Sequence, residues 1–125
     1  MVWIEGDLTE QIIGLAIEVH RHTGRGLLES VYEHCLCFEL TEAGIPRARQ
    51  VPIPIRYERL SLPEGFRADI VVANSVVLEI KAAPAILPAH DARLLTHLTM
   101  SGLHVGLIMN FNARRMVDGL HRLVI

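Results

Sequence analysis

Asp69, Glu79 and Lys81 stand inside apolar runs where a sheet is expected to meet a core. The stretch FRADIVVANSVVLEIKA, residues 66 to 82, reads as two strands joined by a short loop. Side chains on a strand alternate faces, so Val77, Glu79 and Lys81 share one face. Asp69 joins them only if the loop has an odd length, Ala73-Asn74-Ser75, which sets Asp69 opposite Glu79. A loop of Asn74-Ser75 alone would set Asp69 opposite Ile80 and aim it away. The odd loop is expected. A scattered set would bury at least one charge without a partner, at a cost of roughly several kcal/mol.

Two carboxylates on one face repel unless something positive lies between them, and a divalent cation does that. Mg²⁺ takes a few carboxylates, a carbonyl and several waters. The carbonyl of Ile80, between Glu79 and Lys81, is a candidate ligand beside Asp69 and Glu79. Lys81 would then orient a metal-bound water or stabilise charge on a phosphoryl oxygen. The chemistry implied is metal-assisted hydrolysis of a phosphodiester. A plainer reading is a salt-bridged hairpin with Lys81 pairing Glu79 on a solvated face. The spacing alone favours that plainer reading. The flanking Ile70, Val71, Val72, Val77, Leu78 and Ile80 count against it, because strands apolar on both faces are central and buried.

Composition narrows the setting. The chain has 125 residues, enough for a single domain with a real core over 1–125. Half the residues are hydrophobic and mean hydropathy is +0.32, so some apolar surface is a candidate face for a second copy or a protein partner. The net charge of −2 carries no global attraction for nucleic acid. Of 12 basic residues, Lys81 is the only lysine, and an ammonium is not interchangeable with a guanidinium. Cys35 and Cys37, two apart on an expected helix, do not face each other and are expected to be reduced. The opening MVWIEGDLTE shows no signal-peptide pattern and no apolar run is long enough for a bilayer, so a soluble, cytoplasmic chain with no membrane role is expected.

The elements that must position these charges follow from apolar spacing. A helix is expected over 8–22, with Asp7 or Thr9 as its cap, and TGRG breaks it. A second spans 28–43, with Leu28, Val31, Tyr32, Cys35, Leu36 and Leu40 inward. RQVPIPIRYERL is extended, and Pro52 and Pro54 make it an edge or bulged strand. LPEG is expected to turn. Strands follow at 66–72 and 76–82, a helix at about 88–101, a buried strand at LHVGLIMNF and a last short strand at GLHRLVI. The order α-α-β-β-β-α-β-β implies an α/β fold, a mixed sheet of mainly four or five strands flanked by helices.

GLLESVY at 26–32 resembles the motif that names the GxxExxY protein family. FRADIVV, VVLEIKA, HVGLIMNF and DGLHRLVI resemble that family in order and spacing, from about residue 8 to the C-terminus. The family lies in the PD-(D/E)xK nuclease-like superfamily, so the resemblance implies a restriction-endonuclease-like core. It also implies a Mg²⁺- or Mn²⁺-dependent nuclease acting on DNA or RNA. By that resemblance Asp69 is a metal ligand, Glu79 the second acidic ligand, Lys81 the catalytic lysine and Glu29 the acid sent by the preceding helix. Gly26 lets the chain bend into that helix, and Tyr32 is expected to pack.

One departure stands out. Similar members carry a Gln and, four residues later, a Tyr in the helix after the EIK strand, where this chain has Arg93 and His97. Arg93 is suited to a phosphate contact, and would alternatively pair with Glu79 or Asp69 and block the ion. His97 is either a second phosphate contact or a structural residue of a half-buried helix. A catalytically weak or inactive nucleic-acid-binding or regulatory module of the same fold is therefore the alternative to an active nuclease. Arg47, Arg49, Arg56 and Arg59 form either a basic rim for a phosphate backbone or solvated charges that discourage edge pairing. His90 and Asp91 are candidate caps for the third helix, and no histidine has zinc-ligand spacing.

Overall fold

The computed structural model describes residues 6–125, so the first half of the opening stretch, 1–5, lies outside the described residues. Helix α1 spans Gly6–Thr23 and buries Ile12, Ala16 and Val19 along one stripe. It begins earlier than its spacing predicts. Asp7 and Thr9 therefore lie within its first turns, and the Thr9 hydroxyl donates to the Gly6 carbonyl at 2.9 Å. Gly24 and Gly26, at φ 68° and 94°, turn the chain into helix α2, Glu29–Glu42.

The buried face of α2 is Tyr32, Glu33, Leu36, Cys37 and Leu40, an i, i+4, i+8 row with its neighbours. Leu28 and Val31, expected inward, are exposed, and Cys37 rather than Cys35 is the deeper cysteine. The row is centred on Tyr32, which stacks on Phe111 with ring centroids 4.6 Å apart, and that contact sets the rotation of the helix. Both cysteines are free, and burial pushes the Cys37 thiol up.

Five strands follow: β1 Arg47–Tyr57, β2 Leu60–Val72, β3 Val76–Lys81, β4 Val105–Asn110 and β5 Leu120–Val124. They lie side by side in chain order. β3 and β4 are parallel, joined by the crossover helix α3, Pro88–Ser101, and the other neighbours are antiparallel. β1 is an edge strand, which accommodates Pro52 and Pro54. β3 and β4 are buried almost throughout, as their mainly apolar runs predict.

The β1–β2 hairpin is longer than the sequence suggests. LPEG does not turn; the turn is at Glu58-Arg59, with Glu58 at φ 53°, and β2 already runs through 62–65. Gly65 answers a different need. A Cβ there would lie 2.5 Å from Ile55 Cδ1, so the glycine lets Ile55 of β1 cross closely, where the register shifts.

The sheet separates two apolar layers. Ile12, Ala16, Val19, Tyr32, Leu36 and Leu40 of α1 and α2 pack on Ile70, Val72, Val76, Leu78 and Ile80. On the other face, Leu94 and Leu98 of α3 pack on Ile53, Ala68, Val77 and Ile108. Each fully buried Leu or Ile contributes on the order of 1.5–3 kcal/mol. α3 rides low over β4 because residue 106 has no side chain: a Cβ on Gly106 would lie 2.8 Å from Leu94 Cδ1. Gly106→Ala is therefore expected to cost about 1–3 kcal/mol through overpacking. Urea unfolding would show it as a lower midpoint at unchanged slope; a wild-type midpoint would mean that α3 lifts freely.

Candidate active site

The β2–β3 hairpin pairs Ile70, Val71 and Val72 with Leu78, Val77 and Val76, so it is centred on Asn74 and its loop is Ala73-Asn74-Ser75. Ala73 and Asn74 take φ of 50° and 51°, a left-handed bend. The odd loop is the one expected. The ladder stops at Ile70–Leu78, and beyond it β2 leaves β3. Asp69 stands at that fork, and its Oδ2 accepts the Ile80 N–H at 2.8 Å, replacing the next rung with a side chain.

The same point breaks the outer ladder. β1 pairs Arg49 with Ile70 and then Val51 with Ala68, passing over Gln50 and Asp69. Gln50 takes φ 50°, and alternation fails across the break. Ala68 joins Val71 in the α3 layer, whereas strict alternation would place it with Ile70 against α1 and α2. This twist lets the Asp69 carboxylate enter the fork.

Lys81 closes β3 toward β4: its carbonyl accepts the Phe111 N–H at 2.9 Å. One residue earlier, the Ile80 main chain points to the opposite side, into the fork beside Asp69. Asn110 holds the chain just after β3, because its side chain bonds both the N–H and the carbonyl of Ala83, at 3.1 and 2.9 Å.

Glu79 lies on the α3 face, 5% exposed, and its Oε1 meets His97 Nδ1 at 2.5 Å. It does not pair with Lys81. The solvated, salt-bridged hairpin is thus not what the chain builds. Lys81 is half-buried, and its ammonium forms no hydrogen bond or ion pair among the described residues. Burial pushes the Asp69 carboxyl up to about 6, with Glu79 and then Glu33 adding to the rise, while the Ile80 N–H and the Lys81 ammonium act against it. A cation at the fork would relieve that repulsion.

α2 approaches the end of β3 from the opposite layer. Glu29, exposed in its first turn, accepts the Ala82 N–H at 3.2 Å. Tyr32 makes this placement. Tyr32 Oη donates to the Gly24 carbonyl at 2.7 Å and accepts the Leu27 N–H at 3.2 Å, pinning the loop that leads into Glu29. Arg93 is exposed and reaches neither Asp69 nor Glu79, so it does not block the site. His97 is fully buried, not half-buried, and it rather than Arg93 takes Glu79. His90 does cap α3, its Nδ1 accepting the Leu87 N–H at 3.0 Å, whereas Asp91 bonds His121 at 2.9 Å.

Glu33 was given no role by sequence reasoning. It is buried beneath the site, with Oε2 on Arg49 at 3.0 Å and Oε1 on Gln50 at 2.7 Å. Arg49 is thereby withdrawn from the basic rim. The available signal was spacing: Glu33 lies four residues after Glu29, on the same helical side.

The oxygens on offer are hard donors. Asp69 Oδ1, Glu79 Oε2 and the Ile80 carbonyl suit a hydrated Mg²⁺ or Mn²⁺, which accepts one or two carboxylates and fills its remaining positions with water. Among the described residues no three acidic, histidine or cysteine side chains gather closely enough to share an ion. Glu29 therefore does not complete a three-acid group with Asp69 and Glu79. No described helix is long and apolar enough to cross a membrane.

No curated protein and no solved structure matches the chain. A family model described as the PD-(D/E)XK nuclease superfamily matches residues 6–123, which takes in α1, the Asp69 fork, the Glu79-Ile80-Lys81 strand end and nearly all that follows. This five-stranded mixed sheet with its three helices belongs to the PD-(D/E)XK nuclease superfamily.

Proposed function

We propose that this chain is a Mg²⁺- or Mn²⁺-dependent phosphodiester hydrolase acting on DNA or RNA, of the GxxExxY type. Nucleases of the superfamily generally use divalent metals. The observation that carries the reading is the Asp69–Glu79 pair at the β2–β3 fork, with an unpaired Lys81 two residues on. Asp69, Glu79 and the Ile80 carbonyl hold the ion, and Glu29 adds its charge at the end of β3. A bound ion lowers the pKa of a water and stabilises charge on a phosphoryl oxygen. Lys81 orients that water and meets the developing negative charge. Arg93, exposed on α3, contacts a neighbouring phosphate. Residues 1–125 act as one domain, in the cytoplasm, as a homodimer or with a protein partner that extends the grip on nucleic acid.

A second reading has its own support. The acids around the site are already engaged by protein donors: Asp69 by Ile80, Glu79 by His97, Glu29 by Ala82 and Glu33 by Arg49 and Gln50. Such a set also suits a module that binds nucleic acid without cutting it. The two separate in one assay. Single-stranded DNA, duplex DNA and RNA are incubated with the protein and MgCl₂ or MnCl₂, with chelator as control. Metal-dependent cleavage of any of them supports the hydrolase. Binding without cleavage supports the module.

A further inference from the structure

We infer that His97 is a positioning residue for Glu79: its buried ring, through Nδ1, holds one carboxylate oxygen and leaves the other for an ion. The inference rests on the metal reading above. It replaces the phosphate-contact role that the resemblance to similar family members suggested for His97.

The geometry begins at Gly106. Its missing side chain lets α3 sit close to β4 through Leu94, and His97 follows one turn later on the same side of α3. His97 is fully buried, so no phosphate reaches it. Its Nδ1 lies 2.5 Å from Glu79 Oε1. An ionised carboxylate only accepts hydrogen bonds, so the hydrogen belongs to Nδ1. Nε2 is buried with no partner among the described residues, so Nδ1 is the polar anchor of the ring. The Phe66 ring stands at 69° to the imidazole, centroids 4.5 Å apart, and fixes its plane.

The consequence lies in the denticity of the site. With Oε1 tied to His97 and Asp69 Oδ2 tied to Ile80, each carboxylate offers a single oxygen. Monodentate ligands suit the small octahedral ion with its waters. A larger ion such as Ca²⁺ is served by bidentate carboxylates and higher coordination.

The test uses the full chain. On the metal-free wild type, ¹⁵N NMR of the His97 ring is expected to show the hydrogen on Nδ1 and a bare Nε2; the reverse tautomer overturns the inference. Calorimetry with MnCl₂ then compares wild type, His97→Phe and His97→Asn, whose amide nitrogen takes the Nδ1 place. His97→Phe is expected to weaken binding about 10–100-fold, with His97→Asn recovering most of it. Wild-type affinity in folded His97→Phe, or no recovery in His97→Asn, overturns the positioning role alone. Should His97→Phe fail to fold, the tautomer and His97→Asn still decide. No heat from the wild type overturns the metal reading, and the ligand-holding role with it.

Discussion

Asp69→Asn is expected to make the metal-free protein more stable at neutral pH while removing metal-dependent cleavage. Burial first, and Glu79 second, push the Asp69 carboxyl up to about 6 from an ordinary 3.8. Between those two values the folded chain keeps a proton that the unfolded chain has lost. The stabilisation from this group is therefore fully present below the unfolded value and is lost as pH rises through the folded one. The conversion sets an upper bound of about 3 kcal/mol at neutral pH, and solvent screening at this partly exposed site leaves roughly half. Asn stays neutral and keeps an oxygen for the Ile80 N–H, so the variant sheds the cost without losing the bond.

Urea unfolding at about pH 4.5 and about pH 8 reads this directly. Wild type should lose stability relative to Asp69→Asn between the two. A variant no more stable than wild type at the higher pH contradicts the account. MgCl₂ should raise the wild-type midpoint and leave the variant unmoved, because an ion that binds only the folded state stabilises it by mass action. Cleavage by the variant is expected to fall by about 10²–10³-fold or more, the scale of one lost electrostatic contact at a reacting phosphoryl group.

Lys81→Ala is expected to cost about 10²–10³-fold in kcat while leaving stability within about 0.5 kcal/mol of wild type. The separation follows from its surroundings. The Lys81 ammonium forms no hydrogen bond or ion pair among the described residues, so the fold loses little when the side chain goes. Asp69 feels its charge, so the site loses a positive group beside the acids. Manganese affinity measured by calorimetry should survive. Lys81→Arg is expected not to restore the rate, because a planar guanidinium does not replace a compact ammonium beside a water. Wild-type turnover in Lys81→Ala would remove Lys81 from the mechanism, and a matching loss of stability would make it a structural residue.

Much of this site was legible in one stretch of sequence. Face alternation, together with the cost of stranding a charge, selects the odd loop, and the hairpin is centred on Asn74 as that argument requires. The apolar runs of β3 and β4, the crossover helix between them and the prolines of the edge strand are equally local signals. The failures share one cause. LPEG has the composition of a turn, but Gly65 is there to let Ile55 pass. Leu28 and Val31 fit an apolar stripe, but the stacking of Tyr32 on Phe111 rotates α2 away from them.

The sequence by itself determined the order of elements, the acids and lysine of the hairpin and the helix that delivers Glu29, because strand and helix periods act between residues close in the chain. Which partner each charge meets was decided only by tertiary structure. Glu79 bonds His97, eighteen residues on, because Gly106 lets α3 approach. Glu33 bonds Arg49 and Gln50 because β1 takes a positive φ beside the Asp69 break. Those contacts depend on how closely whole layers come together, and layer spacing is a property of packed surfaces that no local pattern of residues encodes.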